Sequence, residues 1–167
     1  MQGRDVIVRY LEDAEAAERN FEDTLMVFAN TGEQNAVKSM FEAASRKAKT
    51  QHERLEARLR ELGGTPSKAK SILAHMLAMA PSLAQIGHEG PEKNTQHLIA
   101  CIAAASAEMA MYESLAAVAA AAGDTKTETL ARELQKEEKD DWDQSWALLP
   151  GSALSAFETV IGRAANA

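Results

Sequence analysis

The chain has 167 residues, a length that favours one domain spanning 1–167. It contains 46% hydrophobic residues but only 9 glycines, 4 prolines and 5% aromatic residues, too few turn and strand formers for a β-sandwich or a β-barrel. A net charge of −7 argues against nucleic acid or an anionic membrane as a partner. The single cysteine, Cys101, excludes an internal disulfide and a cysteine-rich zinc module.

Long stretches without glycine or proline indicate four helices. In chain order these stretches cover residues 4–31, 33–62, 92–122 and 124–149. At 1.5 Å per residue, each can form a rod of about 40 Å. Asn30-Thr31-Gly32 and Gly123-Asp124 provide the turns of two helical hairpins, and Gly63 is placed to cap the second helix.

A connection of roughly 30 residues separates the hairpins, and this length suits a crossover along the bundle. It contains a short predicted helix around Lys68 to Ile86. After Pro150, a second short helix is expected over Leu154 to Gly162, docked on the bundle. The expected fold is all-α: a ferritin-like four-helix bundle of two long helical hairpins, with a crossover segment carrying a short fifth helix.

The sequence also favours a cytoplasmic protein with no membrane partner. No apolar signal core follows Met1. The most apolar tract, Leu98 to Ala122, is interrupted by Glu108 and Glu113 and is only weakly hydrophobic.

Each helix has a seam, a stripe of mostly apolar residues at alternating spacings of three and four. The predicted seam positions are Leu11, Ala14, Glu18, Phe21, Leu25 and Phe28; Val37, Phe41, Ala44, Ala48, Gln51, Leu55, Leu59 and Leu62; Leu98, Cys101, Ala105, Glu108, Tyr112, Leu115 and Ala119; and Ala131, Leu134, Glu138, Asp141, Ser145 and Leu148. Glu18, Glu108 and Glu138 are the notable residues because they place carboxylates on these seams.

A carboxylate in a core needs a metal ion, a base or water as a partner. Glu18, Glu108, Glu138 and Asp141 are therefore the candidate metal ligands. Di-iron and di-manganese bundles use one Glu from each of two helices and a Glu-x-x-His from each of the other two. Hard oxygen ligands together with imidazole suit iron or manganese.

The second helix offers a different partner for these carboxylates. Counting back through the first turn places residue 46 opposite Glu18, and the local cations are Arg46, Lys47 and Lys49. His52 lies about 9–10 Å further along the axis, too far to share an ion with Glu18. Two interpretations remain open: a buried salt-bridge cluster in which these cations replace the metal, and a working iron or manganese site.

Short motifs from Val6 to Lys139 resemble the YciE/YciF group of ferritin-like bacterial proteins. They are Tyr10-Leu11-Glu12-Asp13 with Ala17-Glu18; Gln51 through Leu55; Glu108-Met109-Ala110 with Tyr112 and Ser114-Leu115; and Glu137-Glu138-Lys139. The resemblance implies a bundle similar in outline to rubrerythrin-type dimetal proteins, a tendency to dimerise and a link to stress responses. It also implies that Glu18, Glu108 and Glu138 fall on the metal-binding acids of the group.

The sequence thus predicts a non-catalytic homodimer with a degenerate di-metal site, no cofactor, no identifiable small-molecule substrate and a stress-associated or structural role. The alternative is an iron- or manganese-binding, carboxylate-bridged oxidase or peroxidase-like enzyme. His97 and Cys101 are interpreted as a buried thiol beside a boundary histidine. Trp142 and Trp146 are expected to serve packing or a dimer interface.

Overall fold

A computed structural model of the chain describes residues 3–31, 34–66 and 90–165, and the long elements in these ranges are all helices. The elements are α1 (Gly3–Thr31), α2 (Asn35–Glu61), a short 3₁₀ turn (Gly90–Glu92), α3 (Lys93–Ala121) and α4 (Thr125–Ala165). The four predicted long helices are confirmed. The short helix predicted around Lys68 to Ile86 lies outside the described residues, as does His75 within it.

The helices form two antiparallel hairpins that pack side by side, α1 against α3 and α2 against α4. Contacts at the ends define the directions. Arg4 at the start of α1 donates to the carbonyl oxygen of Leu62 after α2, and Arg58 near the end of α2 pairs with Asp124 before α4. Because α2 and α3 consequently run in the same direction, the chain between residues 66 and 90 joins opposite ends of the bundle, as the predicted crossover requires.

Two glycines end helices in the left-handed conformation. Gly63 has φ +77° and Gly123 has φ +74°, values that cost an L-residue energy but glycine almost none. The amides of Gly63 and Gly64 reach back to the carbonyl oxygens of Arg60 and Leu59, which lie in the last turn of α2. The predicted cap at Gly63 is therefore confirmed.

The seams predicted from the spacing face the interior. All the predicted seam residues are buried except Leu62 and Leu148, which are half-buried. Two apolar clusters result, one containing Phe21, Phe28 and Phe41 and the other containing Leu11 and Leu55. Burial of this apolar area supplies the main stabilisation of the bundle. The three seam glutamates lie along their helices between the residues of these two clusters.

The predicted end of the fourth helix is wrong. Instead of stopping before Pro150 and resuming at Leu154, α4 continues as one helix to Ala165. A proline removes only one helical hydrogen bond, so packing can carry a helix past it. Here Ser152 and Ala156 are buried, and the Ser152 hydroxyl lies 3.0 Å from that of Thr95.

One helical span, Gly90–Ala121, is long and apolar enough to cross a membrane by length and composition, although no membrane is needed to explain it. Leu98, Cys101, Ala105 and Leu115 are buried against the other helices, and Glu108 is buried among them. The core helix of a bundle can pass the same test of length and composition, and 39% of the apolar window is buried here.

Candidate metal centre

Three helices each contribute one glutamate to a single point in the bundle. Glu18 of α1, Glu108 of α3 and Glu138 of α4 offer carboxylate oxygens that all lie within 4.8 Å of one another. At most 1% of each residue is exposed. The helices bring these side chains together because each occupies the inward-facing seam of its own helix. We call these three residues the glutamate cluster.

Two neutral side chains hydrogen-bond to the glutamate cluster. Tyr112 lies one turn after Glu108 on α3, and its hydroxyl donates a hydrogen bond to Oε1 of Glu18. The Gln51 amide nitrogen donates to Oε1 of Glu138 at 2.8 Å. The second helix thus contributes an amide to this layer of the core, and no cation.

The remaining carboxylate oxygens have no hydrogen-bond partner within the described residues. These are Oε2 of Glu18, both oxygens of Glu108 and Oε2 of Glu138. A buried, unpartnered carboxylate costs several kcal/mol relative to water, on the order of the penalty for any desolvated ion. A protonated Glu108 can donate to the neighbouring Glu138, but ionised forms need a cation between them.

Burial and mutual repulsion shift the acidity of the glutamate cluster. Desolvation raises the pKa of Glu18 and of Glu108 well above the ordinary value, and repulsion between the carboxylates raises each further. Desolvation and the nearby Asp141 raise the pKa of Glu138 to about 7, although hydrogen bonds from Glu108 and Gln51 act in the opposite direction. Without a metal, the glutamate cluster therefore resists ionisation.

Asp141 lies apart from the glutamate cluster. It is 7% exposed and forms an ion pair with the ammonium group of Lys47, which reaches across from α2. Desolvation raises the pKa of Asp141, and the Lys47 charge lowers it in part. Of the four predicted metal ligands, the structure brings together Glu18, Glu108 and Glu138. Asp141 instead forms an ion pair with Lys47.

The expectation that three cations on α2 neutralise the glutamate cluster is wrong. Arg46 and Lys49 are exposed, and the Lys49 ammonium lies 4.0 Å from Glu53 on its own helix. Only Lys47 points toward the core, and its partner is Asp141. Successive helical residues point about 100° apart, so a run of cations cannot face one point.

Sequence reasoning missed the roles of Gln51 and Tyr112, although both lie on predicted seams. Counting through the turn placed residue 46 opposite Glu18. Helical side chains lean toward the N-terminus of their own helix, so the carboxylate of Glu18 lies further from the turn than its backbone does. A later α2 residue, Gln51, is therefore level with the glutamate cluster. The signal available in the sequence was a polar side chain on an otherwise apolar seam, which indicates a buried hydrogen-bond partner.

Cys101 belongs to the apolar cluster that contains Phe28 and Phe41, and His97 packs against the same cluster. The His97 ring stacks on Phe28 with 4.2 Å between centroids, and burial lowers the pKa of His97 to about 4. Cys101 accepts a hydrogen bond from Ser145 at 3.5 Å, and burial raises the pKa of the thiol to about 12. The pair serves packing, as predicted, with the histidine more deeply buried than a boundary residue.

His52 lies on the face of α2 that contacts α1. It is half-buried, and its Nδ1 lies 3.0 Å from Oε2 of Glu22 on α1. The contact belongs to the interface between α1 and α2 rather than to the glutamate cluster.

A protein-family model described as a domain of unknown function, DUF892, matches residues 2–151. The chain belongs to the DUF892 family. A search of the curated proteins by sequence found no match.

Solved structures share the DUF892 chain's fold at low sequence identity. The E. coli stress protein YciF is 20% identical with a TM-score of 0.82, covering 92% of this chain and 98% of its own. A protein from Xanthomonas campestris pv. campestris is 19% identical with a TM-score of 0.79, covering 95% and 98%. YcfI from Rhodopseudomonas palustris is 19% identical with a TM-score of 0.79, covering 87% and 93%. The resemblance to the YciE/YciF group and the all-α bundle are confirmed.

The glutamate cluster of this DUF892 protein fits one hard cation better than two. Orphaned oxygens on three carboxylates make an anionic pocket of the kind that hard cations such as manganese, magnesium and calcium accept. A carboxylate-bridged pair of ions uses four glutamates and two histidines, whereas the described residues bring three glutamates and no histidine to this point.

Proposed function

We propose that this protein is a stress-associated member of its family whose glutamate cluster binds one iron or manganese ion and which does not act as an enzyme. The observation that carries the proposal is the set of four buried carboxylate oxygens without a hydrogen-bond partner. The stress association rests on the likeness to YciF, which is described as a stress protein.

A bound cation explains why three acids share one buried point. Between them, Glu18, Glu108 and Glu138 carry three negative charges when ionised, and no lysine or arginine forms an ion pair with them within the described ranges. One divalent or trivalent ion would neutralise most of this charge and engage the orphaned oxygens. Tyr112 and Gln51 would then hold Glu18 and Glu138 in position from outside.

The donor set favours iron or manganese over zinc or copper. All three ionisable groups are carboxylates, and the neighbouring groups are a phenol and an amide. Hard oxygen donors without sulfur or imidazole suit manganese, magnesium and calcium. Iron enters the proposal through the carboxylate-rich centres of di-iron bundles. Cys101, the single cysteine, accepts a hydrogen bond from Ser145, and burial raises the pKa of its thiol to about 12, so it stays protonated.

Metal titration tests the proposal. Chelator-stripped protein is titrated with Mn²⁺, or with Fe²⁺ under argon, and the bound metal is counted after gel filtration. We expect about one ion per chain. An ion at one hundred times its dissociation constant stabilises the fold by about 2.7 kcal/mol, which raises the melting temperature by roughly 5–10 °C.

A matched pair of variants makes the test specific. Glu108→Gln keeps the shape of the side chain but removes a charged ligand, so we expect metal affinity to fall by about 10-fold or more. Glu113→Gln is the control, because Glu113 lies on the same helix, is exposed and pairs with Arg132. Absence of binding at millimolar Mn²⁺, or equal binding by the Glu108 variant and the control, would refute the proposal.

The alternative function, a carboxylate-bridged oxidase or peroxidase-like enzyme, has a distinct signature in the same titration. It requires two ions per chain and consumption of peroxide or oxygen by the loaded protein. A third outcome, a stable bundle that binds no metal, would favour a structural role with protonated glutamates. The raised pKa values of Glu18 and Glu108 favour that protonated state.

The proposal includes assembly as a cytoplasmic homodimer. Support comes from large apolar residues exposed on the second half of α4, namely Trp146, Leu154, Phe157 and Ile161. Trp146 also stacks on Trp142 at 4.8 Å between ring centroids, which presents a flat aromatic surface. Light scattering on the purified protein tests the dimer, and a monomer at 100 μM, roughly the upper range for a weak contact, would exclude it.

A further inference from the structure

We propose that the ammonium group of Lys47 occupies the position of a second metal ion and thereby limits the centre to one ion. This inference rests on the proposed function, because it concerns how many ions the same centre accepts. It assigns to Lys47 the role of an internal cation.

The first support is the environment of Asp141. This residue is a buried carboxylate on the same seam as Glu138, yet it takes no part in the glutamate cluster. Lys47 crosses from α2 to pair with it, and 31% of the lysine side chain remains exposed. The ammonium group of Lys47 therefore neutralises Asp141, a buried carboxylate that would otherwise need a metal ion.

The second support is the distance between the two positions. Asp141 follows Glu138 by three residues on α4, and side chains at this spacing lie about 5–6 Å apart at their β-carbons. Paired ions in carboxylate-bridged centres lie about 3.5–4 Å apart. A cation held by Asp141 therefore lies one helical turn from the carboxylate of Glu138, on the same inward face of α4.

The third support is the ligand count on α2. A second ion needs a carboxylate or imidazole from this helix, and the α2 residues that face the centre are Lys47 and Gln51. An ammonium group donates hydrogen bonds but has no lone pair for a metal. Lys47 therefore both satisfies Asp141 and excludes another cation.

The test counts ions in charge-removing variants. Lys47→Met keeps most of the side-chain length without the charge, and Lys47→Glu adds a carboxylate at the same position. Lys49→Met is the matched control, because Lys49 is exposed two residues further along α2. Each chelator-stripped protein is titrated with Mn²⁺, and bound manganese is counted by elemental analysis and by electron paramagnetic resonance. Circular dichroism confirms folding before and after loading.

We expect Lys47→Glu to bind one manganese ion more per chain than the parent, with spin coupling between the ions. Lys49→Met should bind the same number as the parent. Lys47→Met tests removal of the charge alone and should at least weakly bind the additional ion. If Lys47→Glu does not fold without metal, the count in Lys47→Met decides the matter.

The results separate the two proposals. The parent alone reports on the proposed function, and the difference between parent and Lys47 variants reports on the inference. One ion in the parent and one in Lys47→Met overturns the inference and leaves the proposed function standing, even if Lys47→Glu binds two, because that variant adds a ligand of its own. Two ions in the parent overturns the inference as well. No ion in the parent overturns both proposals, because Lys47 would then not be limiting a centre that holds one ion.

Discussion

Glu138 makes the stability of the metal-free protein depend on pH in a defined direction. Its pKa is raised to about 7 in the folded protein from an ordinary value of 4.5. A carboxyl group with a raised folded pKa contributes stability that is fully present below the unfolded pKa and is lost as the pH rises through the folded pKa. Replacement by Glu138→Gln removes this titration while preserving the shape of the side chain.

The size of the effect follows from the shift. Each pKa unit corresponds to about 1.4 kcal/mol, so ionising Glu138 in the folded protein costs about 3 kcal/mol in all. Between pH 5.5 and pH 8 the free energy of unfolding of the parent falls by about 2 kcal/mol on account of Glu138. The rest of the loss occurs below pH 5.5, where Glu138 of the unfolded chain begins to ionise. The free energy of unfolding of Glu138→Gln should therefore rise by about 2 kcal/mol relative to the parent across this range.

The groups around Glu138 act in the same direction or are common to both proteins. Replacing Glu138 removes its repulsion of Glu18 and Glu108, which lowers their pKa values in the variant and adds to the expected rise in its relative stability. Asp141, Lys47 and Gln51 also lie near residue 138, and all three are present in both proteins. Elsewhere, burial lowers the pKa of His97 to about 4, which adds stability as the pH rises from 5.5 to 8. The histidine acts in the opposite direction to Glu138, but it acts equally in parent and variant.

Urea denaturation at pH 5.5 and pH 8, with chelator present, measures the difference. An effect of 2 kcal/mol moves the urea midpoint by about 1 M. Glu113→Gln is the control, because hydrogen bonding to Arg132 and Gln135 lowers the pKa of Glu113 to about 2, so this group stays ionised throughout. A constant stability difference between Glu138→Gln and the parent at the two pH values would refute the reasoning about a desolvated carboxyl group.

Three further predictions concern stability without metal, each measured by urea denaturation. Lys47→Ala should lower the free energy of unfolding by about 1–3 kcal/mol, since it leaves Asp141 buried without its amine, and an unchanged midpoint would contradict the buried ion pair. Asp124→Ala should cost about 1–2 kcal/mol, because Asp124 caps α4 and pairs with Arg58; a loss below 0.5 kcal/mol, roughly the limit for ordinary surface changes, would contradict this role. Gly63→Ala should cost about 1 kcal/mol at φ +77°, and a stabilised variant would show that the turn has another conformation.

The helices and the glutamate cluster were predictable because their signals are local. Glycine and proline mark the ends of α1 to α3, and the three-four spacing identifies which face of each helix is buried. A carboxylate on such a face is recognisable whatever the partner helix is. Pro150 misled the prediction because continuing α4 depends on the packing of Ser152 and Ala156, which is a tertiary contact.

By itself, the sequence determined the bundle, the crossover topology and the burial of Glu18, Glu108 and Glu138. Only the tertiary structure decided which α2 side chain binds each buried carboxylate. The rotation and axial offset of α2 place Lys47 beside Asp141 and Gln51 beside Glu138. Helix periodicity is a property of one chain segment, whereas the pairing of a buried charge depends on the geometry between helices.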